Sequence, residues 1–179
     1  MKSVMISIKP KYCELIASGK KTDEVRKTKP KLNTPFKCYI YQTVDGRTNT
    51  VDILENNLGK VIGEFVCDNI YPIRYERDGF YVADFIDCKT SCLKPRDFIV
   101  YGKGKPLYGW SISNLKIYDE PKELEAFTTF CDATKKRCAN CKHYLFDNDD
   151  LNGYRRWCDV CHRKPLTRPP QSWCYVTES

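Results

Sequence analysis

No stretch of the 179-residue chain approaches the roughly 20 consecutive apolar residues that a membrane-spanning helix needs. Residue 1 leads directly into a strand pattern, without the apolar core of a signal peptide. These two absences point to a soluble, cytoplasmic protein with no membrane partner. Strands and helices do not alternate in a βαβ rhythm, which excludes the doubly wound parallel-sheet enzymes. Histidine occurs only twice, as His143 and His162. What is present is enough apolar residue (41 %, with 13 % aromatic) to build one ordinary core, and eleven cysteines. In a chain without an export signal, Cys-x-x-Cys pairs indicate reduced thiols and metal rather than a disulfide scaffold.

Residues 17–27, Ala-Ser-Gly-Lys-Lys-Thr-Asp-Glu-Val-Arg-Lys, concentrate the chemistry. Leu15 and Ile16 end a short apolar helix, Gly19 suits the position after it because it tolerates positive φ, and Val25 starts an extended run. On an extended chain Glu24 and Arg26 project to one side and Val25 to the other. Glu24, Arg26 and the Lys21 ammonium are therefore expected to converge on a polar or anionic ligand, with Lys9 and Thr22 nearby. Between residues 9 and 37 there are nine basic residues against three acids, a patch that would attract a polyanion. The same run also reads as an ordinary solvated face.

Taken in order, Val4, Ile6 and Ile8 alternate with Ser3, Met5 and Ser7, a strand with one strongly apolar face. Pro10 opens a helix to Ser18, and residues 36–43 form a central strand. Residues 47–57 have no clear period, 60–70 read as one strand, 95–100 as a short helix opened by Pro95, and 107–118 as the last strand. Many strands and few helices predict a small mixed β-barrel of α+β class with short flanking helices. Glu64 lies mid-strand beside Gly63, whose missing side chain would let another backbone or a ligand come close. The carboxylate reads equally as a partner of the motif and as an outward-facing strand acid. Trp110 and Tyr108 read as base-stacking rings or as core.

The pattern Gly19-x-Lys21-x-x-Glu24-x-Arg26 resembles the signature of the ASCH family, a branch of the PUA-like β-barrels. The likeness runs over residues 1–119, with a first strand ending in Lys9-Pro10, Gly63-Glu64 in a middle strand and Gly109-Trp110 in a late one. Residues 29–41 and 168–176 are similar to ASCH proteins of phages and prophages of gut bacteria. The resemblance implies binding of RNA, single-stranded nucleic acid or a modified nucleoside in the barrel cleft, in the cytoplasm of a bacterial host. Some ASCH proteins are N4-acetylcytidine amidohydrolases using a Lys, a Thr three residues later and a strand Glu. Here these positions would be Lys21, Glu24 and Glu64, so a Glu stands where the Thr is expected. Others are reported as ribonucleases. Binding is the preferred expectation, with a hydrolase using Lys21, Glu24 and Glu64 as the alternative.

A boundary is expected after residue 118: an ASCH domain over 1–118, a connector over 119–134 and a Cys-rich unit over 135–179. Cys138-x-x-Cys141 and Cys158-x-x-Cys161, separated by sixteen residues, have the spacing of a structural zinc site of knuckle or ribbon type. Cys174 is an alternative fourth ligand and Cys131 a weaker one. A segment so short and so poor in aliphatic residues needs a metal to hold a fold.

Overall fold

The alternating pattern at the head of the chain forms β1 (Ser3–Ile8), and both of its faces are covered, not one. Val4, Ile6 and Ile8 enter one core cluster with Cys38, Ile40 and Phe65, while Met5 enters a second with Tyr39, Phe127 and Val176. A core cluster therefore packs on each face of the sheet at this strand. The computed structural model describes residues 2–44, 57–76, 79–83, 88–129 and 165–178. Over these the chain is a mixed α+β structure of two sheets and short helices.

After β1 come α1 (Pro10–Ala17), with Pro10 at its first turn, β2 (Asp23–Arg26), β3 (Phe36–Gln42), β4 (Val61–Cys67), β5 (Ile70–Tyr75) and β6 (Tyr81–Val82). Then follow α2 (Cys88–Ser91), α3 (Pro95–Gly102), β7 (Leu107–Ser111), β8 (Ser113–Lys122), β9 (Phe127–Thr129) and β10 (Trp173–Glu178). The larger sheet has the order β8-β4-β3-β1-β10-β9 and the smaller β2-β7-β5-β6. In the smaller sheet Glu24 pairs with Trp110 and Val25 with Gly109, so side chains separate by parity. Trp110 fills the space between the sheets, edge-on to Phe36 at 5.9 Å, whereas Val25, Ile73 and Leu107 point away and are closed off by Phe98 of α3.

Two runs that read as single strands are each broken at a barrel corner. The 60–70 run divides into β4 and β5, and the 107–118 run into β7 and β8, each passing from one sheet to the other. The corners are tied together by Ser111 N donating to Asn69 O at 3.0 Å. Apolar alternation continues through both corners because both sheets face the same core, so it carries no mark of the break. Gly63 does what its position suggests: a Cβ there would lie 2.5 Å from the Lys116 carbonyl oxygen of β8.

The expected partition does not follow the sheet. Strand β8 runs past residue 118 to Lys122, and Leu124 and Phe127 beyond it are buried. Strand β10 lies between β1 and β9, with Ile6 opposite Trp173 and Ser3 opposite Val176, so residues 173–178 complete the large sheet rather than a separate C-terminal unit. A strand buried along its whole length, as β1 is, has its edge groups paired on both sides, and β3 supplies only one side. Cys131, Cys138, Cys141, Cys158, Cys161, His143 and His162 lie outside the described residues, as do residues 47–56 of the aperiodic stretch.

Candidate ligand-binding site

The turn after α1 places the motif. Gly19 has φ +71°, and the Lys21 N–H returns to the Leu15 carbonyl at 2.9 Å, which directs the Lys21 side chain inward. Lys21 is only 2 % exposed. Its Nζ donates to the carbonyls of Asp23 at 2.7 Å and Ser91 at 2.6 Å and lies 3.3 Å from Glu24 Oε2. Two of the three ammonium N–H groups are thus bonded to carbonyls, and the contact with Glu24 Oε2 is an ion pair without a hydrogen bond.

Strand β2 then projects Glu24 and Arg26 from one face, as alternation requires. Arg26 Nη2 lies 3.1 Å from Glu24 Oε1 and donates to the Ser7 carbonyl at 2.6 Å. Two buried cations thus share one buried carboxylate, an arrangement tolerable away from water only because each group is paired. Two atoms are left over: Glu24 Oε2 and Arg26 Nε are buried and accept or donate no hydrogen bond among the described residues. An acceptor and a donor are therefore held in place with capacity to spare.

Both residues line a cavity of about 460 Å³ between the start of α1, the motif and α3. Tyr12 and Tyr101 supply aromatic wall, and Lys9, Lys11, Lys27 and Arg96 supply positive charge. Burial holds the Tyr101 hydroxyl above its ordinary value, and the charge of Arg26 partly offsets this.

Of the residues singled out from sequence, Lys9, Lys21, Glu24 and Arg26 are brought together at this cavity. Thr22 is exposed and does not line it; its N–H is held by the Thr90 carbonyl at 2.9 Å. Glu64 is elsewhere, on β4 of the large sheet, accepting from Lys37 Nζ at 2.9 Å and Tyr118 Oη at 2.6 Å. Burial alone would raise its pKa, but the bonds from Tyr118 and Lys37 outweigh that and lower it. Trp110 is wholly buried between Phe36 and Trp173 and is core, not a stacking platform. Cys174 packs on the second core cluster, its thiol pushed up to about 11 by burial. Among the described residues no group of three or more His, Cys, Asp or Glu could hold a metal, and no helix is long and apolar enough to cross a membrane.

Ser7, Tyr12, Arg96 and Tyr101 belong to the site without having been expected there. Only Ser7 left a trace in the sequence, as a polar residue within an apolar strand. The α3 wall arrives by topology alone.

The fold is similar to that of an ASCH protein from Zymomonas mobilis in three crystal structures. A tyrosine-to-phenylalanine mutant matches with a TM-score of 0.54 and 19 % identity, over 99 % of this chain and 91 % of that one. The unmutated protein matches at 0.53 and 19 %, over 98 % and 87 %, and a serine-to-alanine mutant at 0.54 and 18 %, over 98 % and 88 %. No sequence-family profile and no curated protein matches the chain. The likeness shows a fold shared with that ASCH protein; the chemistry has to be read from the site.

Proposed function

We propose that the chain binds a nucleobase, as part of a nucleotide or of RNA, in the cavity built on Lys21, Glu24 and Arg26. The observation that carries this is the pair of buried, unsatisfied atoms Glu24 Oε2 and Arg26 Nε. A base edge offers a donor beside an acceptor and satisfies both. A phosphate offers acceptors alone and would meet the Glu24 charge. The tyrosine walls suit a flat ring, and the rim cations suit the attached phosphate. A volume of about 460 Å³ is within the usual range for a small-molecule site.

The hydrolase alternative draws less support. Lys21 is held by two carbonyl bonds and an ion pair with Glu24, Glu24 replaces the expected Thr, and Glu64 is bonded to Lys37 and Tyr118 away from the cavity. Within the binding reading, Cys138, Cys141, Cys158 and Cys161 hold a structural zinc, and the protein works in the cytoplasm of a phage-bearing bacterium.

Calorimetric titration with the four nucleoside 5′-monophosphates and with ribose 5-phosphate tests the reading. At least one nucleotide should bind tenfold or more tightly than ribose 5-phosphate. Equal binding of ribose 5-phosphate and every nucleotide would overturn it.

A further inference from the structure

Between Glu24 and Asp45 the chain contains no acidic residue, yet it carries Arg26, Lys27, Lys29, Lys31 and Lys37. The first part of this stretch leaves the cavity and is laid along β10. Thr28 Oγ1 accepts from Trp173 Nε1 at 2.9 Å, and the Lys31 N–H donates to Tyr175 Oη at 2.6 Å. Pro30 is buried between these anchors, while Lys27, Lys29 and Lys31 are all exposed. Alternate residues are thus held against the protein and alternate lysines are presented to solvent.

Lys27 lines the cavity and lies over the Tyr101 ring at 4.7 Å. Lys29 lies over Tyr108 at 5.6 Å, and at the far end Lys2 lies over Tyr175 at 3.9 Å. Among the described residues none of the three loop lysines forms an ion pair. Their charge is therefore not neutralised by a carboxylate of the described chain. From Lys27 to Lys31 an extended chain reaches at most about 14 Å, enough for several phosphates of an open strand.

We propose that Lys27, Lys29 and Lys31 form a phosphate track leading out of the cavity, so that the ligand is a single-stranded oligonucleotide with one base held in the cavity. This rests on the base-binding reading above. A base can enter only if it is unpaired, which selects single strands over duplex. Alternating cations and aromatic rings are the features that hold such strands without reading their sequence.

Fluorescence anisotropy with labelled single-stranded RNA and DNA octamers and an RNA duplex, over a salt series, reads the track directly. Single strands should bind, duplex should bind at least tenfold more weakly, and log K should fall linearly with log salt. Lys29→Gln with Lys31→Gln should lower the slope by about 1.4, at about 0.7 per lysine lost, and leave mononucleotide binding unchanged. A preference between the RNA and DNA octamers would say which strand is the partner. Single-strand binding with an unchanged slope in the double variant, equal affinity for duplex, or equal affinity for heparin would each overturn the track. Loss of mononucleotide binding by the unaltered protein would instead overturn the cavity reading.

Discussion

Ser7 joins the C-terminal segment to Arg26. Its hydroxyl donates to the Pro170 carbonyl and its carbonyl accepts from Arg26 Nη2, both at 2.6 Å, while its N–H donates to Ser172 O at 2.9 Å. The end of the chain therefore holds the strand that holds the site. Ser7→Ala removes one of these bonds and should lower stability by about 1 kcal/mol, read from urea unfolding. A chain ending at residue 164 loses β10 from inside the large sheet and should show no cooperative unfolding transition at all. A truncated chain that unfolds with the full-length midpoint would show that β10 is dispensable.

Removing members of the buried charge group should not be equivalent. Glu24→Gln leaves Lys21 and Arg26 facing each other without a counter-charge and should cost about 3 kcal/mol or more. Lys21→Met leaves Glu24 paired with Arg26 at 3.1 Å and should cost less, although two carbonyls lose a donor. Urea midpoints of the two variants decide the order; a larger loss for Lys21→Met would mean that the carbonyl bonds outweigh the charge balance.

Local chemistry made part of this site legible. Gly19 after an apolar helix end, and the alternation of Glu24, Val25 and Arg26, are decided within a few residues, and their placement follows. Glu64 depended on which strands flank β4, and the flanking residues Lys37 and Tyr118 come from β3 and β8. Strand β10 meets β1 from more than 160 residues away, with Ser3 opposite Val176, and no periodicity records such a pairing. Two cysteine pairs drew residues 135–179 together as one unit, while the alternation of Trp173 and Tyr175 with Cys174 and Val176, one pair to each core cluster, was the signal for a buried sheet strand.

Acid should loosen the large sheet at a defined place. Hydrogen bonds from Lys122 and Tyr39 lower the Glu178 pKa against its burial, and those from Tyr118 and Lys37 lower that of Glu64, both from an ordinary 4.5. A carboxylate whose folded pKa is depressed stabilises the fold above its unfolded value, and that contribution disappears as pH falls through the folded one. The stability of the unaltered protein should therefore be flat just above pH 4.5 with respect to these groups and decline below it. Tyr39→Phe with Tyr118→Phe should shrink the decline, measured by urea unfolding at stepped pH. An unchanged decline would place the acid sensitivity in other carboxylates.

Metal content separates two roles for cysteine. If Cys138, Cys141, Cys158 and Cys161 form one tetrahedral site, protein purified without added metal should carry about one zinc per chain. Cys141→Ser should lower that content, whereas Cys174→Ser should not, because Cys174 is a neutral thiol packed on the core beside Met5. Elemental analysis of the three proteins is sufficient. Zinc near zero in the unaltered protein would sink the four-cysteine site, and zinc lost only with Cys174→Ser would make Cys174 the essential ligand.

Turnover of N4-acetylcytidine should be absent or slow. Amide hydrolysis needs an activated nucleophile and a group to stabilise the developing oxyanion. Lys21 donates to the Asp23 and Ser91 carbonyls and is ion-paired with Glu24, and a charged ammonium has no lone pair with which to act as base. Thr22, the nearest hydroxyl in sequence, is exposed outside the cavity, and Glu64 is engaged elsewhere. Glu24 could activate water, but no described cavity residue is a histidine that would relay the proton. Incubation with the acetylated nucleoside and with end-labelled RNA, following cytidine release and strand cleavage, should give neither above a buffer control. Rapid cytidine release that disappears in Lys21→Ala would replace binding by amide hydrolysis, and strand cleavage lost in the same variant would make the protein a nuclease.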